Sequence, residues 1–164
     1  MKVSNVGKGA IVGVAGFAAV VAGIVQPWEG RELQAYRDIV GIWTICDGDT
    51  NNVRPGQVAT PAECDSRLYR QLADHEAMLD RCLTVVLPVK VKAAFISWTY
   101  NIGGGAACGS TLVRKANAGD LTGACNELPK WNKARVNGVL QPVRGLTNRR
   151  AAEQTLCLEG VRGQ

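Results

Sequence analysis

The chain has 164 residues, 46% hydrophobic and 20% charged, enough for one domain with a real core and too short for two full ones. The net charge is +5 and the pI about 9.0, a balance that favours an anionic partner such as nucleic acid, anionic lipid or an acidic wall polymer. The basic residues are scattered, with only the end of the chain locally rich in arginine, which argues against nucleic acid and leaves simple solubility as the plainest reading of the charge.

Residues 9–28 carry no charge, and Lys2 and Lys8 precede them. Twenty residues of helix span about 30 Å, close to one bilayer core, and the flanking lysines predict that the N-terminus stays inside while the rest is exported. Yet residues 10–25, AIVGVAGFAAVVAGIV, are half Ala and Gly and contain no Leu. Such a helix gains little from staying in lipid. Three readings are open: a cleaved signal peptide, a permanent anchor, and an anchor weak enough to let go. Pro27 ends the run.

Residues 33–50 alternate weakly and carry Gly41 and Gly48, which predicts a small β-hairpin or irregular sheet. Residues 51–57 read as a loop. In TPAECDSRLYRQLADHEAMLDRCL (60–83), Thr60 as N-cap, Pro61 at the first helical position and Glu63 form a capping box. Cys64, Leu68, Leu72, His75, Leu79 and Cys82 then follow on one helix face. His75 on that face is expected to be a core or interface residue rather than a base. Pro88 opens a further helix through Ile102, stopped by Gly103 to Gly105. A short helix spans 110–118, Asp120 caps the next to about Leu128, and Thr147 begins the last, which stops at Gly160. Five or six helices against one hairpin predict an α+β fold, mainly helical, with a small β-rich insert near the start.

Six dispersed cysteines and a single histidine form no CxxC pair. That suits a disulfide framework in an oxidising compartment better than a zinc site. No metal or other cofactor is expected. Six cysteines allow about 15 connectivities, and the sequence leaves the choice open; Cys46–Cys64, Cys82–Cys108 and Cys125–Cys157 are guesses among them. A thiol protease built from a cysteine and His75 has no motif to support it.

Chemistry concentrates in WEGRELQAYRDIVGIWTICDGDT (28–50). A hairpin that folds back brings Glu29, Asp38 and Thr44 to one cleft. Two carboxylates across a cleft suit glycoside hydrolysis: one protonates the leaving oxygen, and the other activates water or stabilises the oxocarbenium-like transition state. An apolar pocket favours the protonated form that the donor needs, and Trp28 is at hand to build one. A threonine hydroxyl can hold the attacking water. The plain alternative is that a polar stretch of this length holds such a triple by chance.

The spacing Glu-x8-Asp-x5-Thr, with AYRDIVGIWTI (35–45) around it, resembles the triad of the phage T4-type lysozymes. YNIGGGAACGSTLVRKANAGD (100–120) resembles the central helix and following turn of that family, and GLTNRRAAEQTLC (145–157) its C-terminal signature. The resemblance implies a lysozyme-like fold and hydrolysis of the β-1,4 bond between N-acetylmuramic acid and N-acetylglucosamine in peptidoglycan. It gives Glu29 the role of general acid, Asp38 that of water activation or charge stabilisation, and Thr44 that of placing water. Arg149 and Arg150 would support the catalytic glutamate. Asn101 either lines the sugar groove or is a helix-end hydrogen bonder. Many relatives carry a histidine after a glycine just beyond the triad threonine, which would pair with an acid and brace the hairpin. Here the pair is Gly48–Asp49, with Asp47 before it, so the brace is in doubt; the two carboxylates either raise the pKa of Glu29 by like-charge repulsion or, as the plainer expectation, are solvated and inert.

Residues 1–27 resemble the signal-anchor-release segments of a subset of these endolysins, uncleaved and weakly hydrophobic. The implied layout is 1–27 as that segment and 28–164 as the muramidase domain. The chain would be exported and held inactive at the host inner membrane through residues 9–28, with its N-terminus cytoplasmic, then freed as a periplasmic monomer. No cysteine lies in 1–27 to exchange with one caging the site. Cys46 is therefore read as half of a structural disulfide, with the caging role kept as its alternative. Two other functions compete: a lytic transglycosylase, which needs the acid but not Asp38 and Thr44, and a wall-binding protein that has lost the chemistry.

Overall fold

A computed structural model describes residues 9–163. A long helix α1 (Gly9–Glu29) leads into a hairpin of β1 (Glu32–Arg37) and β2 (Trp43–Cys46). Helices α2 (Pro61–Asp80), α3 (Val89–Ile102), α4 (Gly104–Cys108), α5 (Thr111–Asn117) and α6 (Leu121–Cys125) follow. A 3-10 turn (Leu128–Trp131), a second hairpin of β3 (Lys133–Val136) and β4 (Val139–Pro142), and α7 (Arg144–Arg162) complete the chain. The fold is mainly helical α+β.

The centre is α3, where Val91 and every residue from Ala93 to Thr99 are buried. A helix this short of polar surface must be enclosed, and α1, α2 and α7 pack around it. Val21 and Val25 of α1 join the same core as Leu68, Phe95, Trp98 and Leu112. Helix α1 thus runs unbroken across position 27 and contributes core side chains on its way. Among the described residues no helix is long and apolar enough to cross a membrane.

The capping box forms: Thr60 Oγ1 accepts from the Glu63 N–H, and the Glu63 carboxylate accepts from the Thr60 N–H at 2.7 Å. Residues 57–59, expected as the end of a loop and the start of a cap, return alongside β1 through Ala35 N–H to Gln57 O and Ala59 N–H to Leu33 O. Four other expectations are corrected. Gly103, at φ 87°, ends α3, but Gly104 and Gly105 open α4 instead of prolonging a break. The second hairpin was not expected. Helix α7 begins at Arg144, not Thr147. Gly160 does not stop it, because this glycine lies where α7 meets α3: a Cβ there would stand 2.9 Å from the Val91 nitrogen.

Three disulfides tie the elements: Cys46–Cys64 joins the first hairpin to α2, Cys82–Cys108 joins the end of α2 to α4, and Cys125–Cys157 joins α6 to α7. Cys46 is buried and bonded, so it is no free thiol over the site.

Candidate active site

Glu29 is the last residue of α1, and Gly30 at φ 64° turns the chain out of the helix towards β1. Its carboxylate is partly buried and accepts a 2.6 Å hydrogen bond from Arg149 Nη1. Arg149 is itself buried in α7. Its other nitrogens donate to Glu153 at 3.2 Å and to the Ser97 carbonyl of α3 at 3.2 Å. One guanidinium fork therefore fixes the end of α1 against α3 and α7. Arg150, the neighbour on α7, turns away and pairs with Glu153 at 2.8 Å. Burial pulls the Arg150 guanidinium down to about 10 and pushes the Glu153 carboxyl up. Ser97 Oγ also donates to Glu153, at 2.6 Å.

Asp38 occupies the turn between β1 and β2. Its Oδ1 accepts the N–H groups of Val40 at 3.0 Å and Ile42 at 2.8 Å, closing the turn, and Oδ2 takes no protein donor among the described residues. Thr44 is 3% exposed, and its hydroxyl donates to the Ile42 carbonyl at 3.1 Å. The Ile42 peptide thus joins Asp38 and Thr44, while Glu29 is joined to Arg149. Asn101 is exposed at the C-terminal end of α3 and bonds to none of them among the described residues. With Trp131, Lys133 and Leu140 it lines a groove of about 530 Å³.

Asp47 and Asp49 are corrected from solvated to buried. Asp47 is 1% exposed and Asp49 0%. Arg31 donates to Asp47 at 2.8 Å, and Asp49 receives Arg67 at 2.7 Å and Arg70 at 3.0 Å from α2. A wholly buried carboxylate needs such partners, since an unpaired one costs several kcal/mol, on the order of 3 or more. Tyr100 places its hydroxyl 2.8 Å from Gln71 Oε1 and 3.1 Å from the Asp47 carbonyl, two acceptors that share its one hydrogen. Burial, then the negative charge of Glu29, Asp47 and Asp49, pushes its hydroxyl well above the ordinary tyrosine value. Arg31, Tyr100 and Glu153 are site neighbours that the sequence reading missed. Only Glu153 left a local signal, as the acid three and four residues after Arg150 and Arg149.

A helix-borne glutamate held by a buried arginine, beside a hairpin carrying an aspartate and a threonine on a mainly helical α+β scaffold, defines a lysozyme-type glycoside hydrolase. A family model for phage lysozyme matches residues 26–153. The SAR-endolysin of Pseudomonas phage phiKMV is 39% identical over 145 residues, covering 88% of this chain and 89% of that protein. The SAR-endolysin of Enterobacteria phage P21 is 39% identical over 133 residues, 80% of this chain and 78% of that one. Among solved structures, the endolysin from Escherichia coli O157:H7 phage FAHEc1 superposes with a TM-score of 0.78 at 31% identity, over 85% of this chain and 91% of that one. The chain belongs to the phage lysozyme family. It is a glycoside hydrolase of the muramidase type.

Proposed function

We propose that the chain is a phage endolysin that hydrolyses the β-1,4 bond between N-acetylmuramic acid and N-acetylglucosamine and so lyses the host. Glu29 is the general acid that protonates the leaving oxygen. Asp38, with one carboxylate oxygen that takes no protein donor among the described residues, activates water or meets the developing charge. Thr44 places water beside the sugar. The observation that carries this reading is Glu29 fixed by Arg149 at the end of a packed helix, with two residues between it and the hairpin that bears the other two.

An earlier tethered stage goes with it. The apolar residues 10–25 lie in the inner membrane after export, with the catalytic part in the periplasm, and the chain is released as a monomer. Val21 and Val25 cannot be in lipid and in the core at once. Tethering therefore withdraws α1 from α3 and carries Glu29 away from Arg149, and the chain is inactive until release. The domain layout follows the same division: residues 1–27 serve as the anchor before release, and 28–164 hold the muramidase chemistry.

The test is digestion of purified peptidoglycan by released wild type and by Glu29→Gln. New reducing N-acetylmuramic acid ends with the wild type, reduced by a factor of about 100 or more in the variant, are expected. Anhydro ends would make the protein a transglycosylase. No cleavage by released protein would sink the reading.

A further inference from the structure

The turn between Thr44 and α2 is held far more firmly than a surface loop of five residues requires. Ile45 and Asp49 exchange both backbone hydrogen bonds at 2.9 Å. Between them Cys46 and Gly48 stand at φ 58° and 88°, the former a left-handed conformation that a side chain seldom adopts. The Asp49 carboxylate at its end, completely buried, reaches three side chains on two successive turns of α2. Arg67 and Arg70 donate to Oδ2, and Gln71 donates to Oδ1 at 3.3 Å. Oδ1 also accepts the Asn51 N–H at 3.0 Å. Gln71 Oε1 also accepts from the Tyr100 hydroxyl, which lies 3.1 Å from the Asp47 carbonyl within the same turn. Asp47 in turn receives Arg31, two residues from Glu29.

The anion is on the turn and its cations, Arg67 and Arg70, are on α2. We propose that Asp49 is a positioning residue for the hydrolysis. It touches no substrate. Together with Arg67 and Arg70 it fixes the 45–49 turn against α2, and through Ile45 it fixes the neighbouring Thr44 in the place that the water requires. A misplacement on the order of 1 Å in such a group can cost about a hundredfold in rate. This rests on the role proposed above for Thr44.

The test compares released full-length wild type, Asp49→Asn, Asp49→His, Arg67→Asp and the double variant Asp49→His/Arg67→Asp. The readouts are kcat and KM on peptidoglycan, well below each variant's unfolding temperature. Each single variant is expected to lose at least about tenfold in kcat with little change in KM. The double variant, which swaps the two charges across the same gap as a histidine–acid pair, is expected to recover to within about threefold of wild type. Amide exchange at residues 43–46 should quicken in the singles and slow again in the double. Folded singles that keep wild-type kcat, or a folded double no better than Asp49→His, would overturn the proposal. So would singles and double that all fail to fold, since Asp49 would then be holding the fold and not the site. An inactive wild type fails the proposed function instead, whereas an active wild type, a dead Glu29→Gln and a fully active Asp49→Asn fail only this inference.

Discussion

Arg149 and Arg150 are adjacent in sequence, yet Arg149 bonds Glu29 while Arg150 pairs with the buried Glu153. Successive helical residues point about 100° apart, so only one of a pair can face Glu29. The difference is testable with a substitution that keeps charge and loses shape. Lysine at 149 carries one point charge and cannot bridge Glu29, Glu153 and the Ser97 carbonyl together. Arg149→Lys is expected to lower kcat by about tenfold or more and to cost about 2–4 kcal/mol in urea unfolding, because buried acceptors are left unmatched. An Arg149→Lys protein with wild-type kcat would remove Arg149 from the acid's support. Arg150→Lys is expected to show the stability loss without a comparable loss in kcat, since its direct partner is Glu153 and not Glu29.

At the scale of elements, two glycines of α7 should respond with opposite signs. Gly145, in the first turn, has nothing within 4 Å of where its Cβ would lie. Gly145→Ala should stabilise by about 0.5–1 kcal/mol through helix propensity alone. At Gly160 a Cβ would meet Lys90 Cβ and the Val91 nitrogen, both at 2.9 Å, so the same change forces α7 off α3 and should destabilise by about 1–3 kcal/mol. Denaturant midpoints of the two variants check this, and equal stabilisation would mean that the close approach is slack. Gly160 also shows where sequence reading stops. A glycine near the end of a periodic stretch is a stop signal unless a distant helix needs its missing side chain, and the distant helix cannot be seen locally. The Thr60 box was legible because all its parts lie within four residues. The second hairpin was legible too, and overlooked: Asn137 and Gly138, both at positive φ, make the two-residue turn that an Asn-Gly pair favours. The proposed triad of Glu29, Asp38 and Thr44 stood out by its resemblance to a family pattern together with two distant motifs, since a polar stretch of this length can hold such a triple by chance. The burial of Asp47 and Asp49 did not, because their arginines lie 16 to 21 residues away along the chain.

For the molecule as a whole, the decisive feature is that its most apolar segment is also part of its core. Val21 and Val25, 2% and 0% exposed, sit against α3, and the helix they belong to ends at Glu29. The muramidase part is therefore incomplete without the end of the segment proposed as its anchor. A chain that starts at residue 28 keeps every triad residue and all three disulfides but leaves the α1 site on α3 uncovered. Burying two valines is worth about 3 kcal/mol or more, so that chain should unfold at correspondingly lower urea than the released full chain. Its kcat should fall as well, because no packed helix then delivers Glu29 to Arg149. Adding back a peptide of residues 9–27 is expected to restore little, since the connection through Trp28 to Glu29 is cut and orientation is lost. If the shortened chain instead matches the full one in both stability and kcat, α1 is dispensable once released, and withdrawal of α1 cannot be what keeps the tethered form inactive.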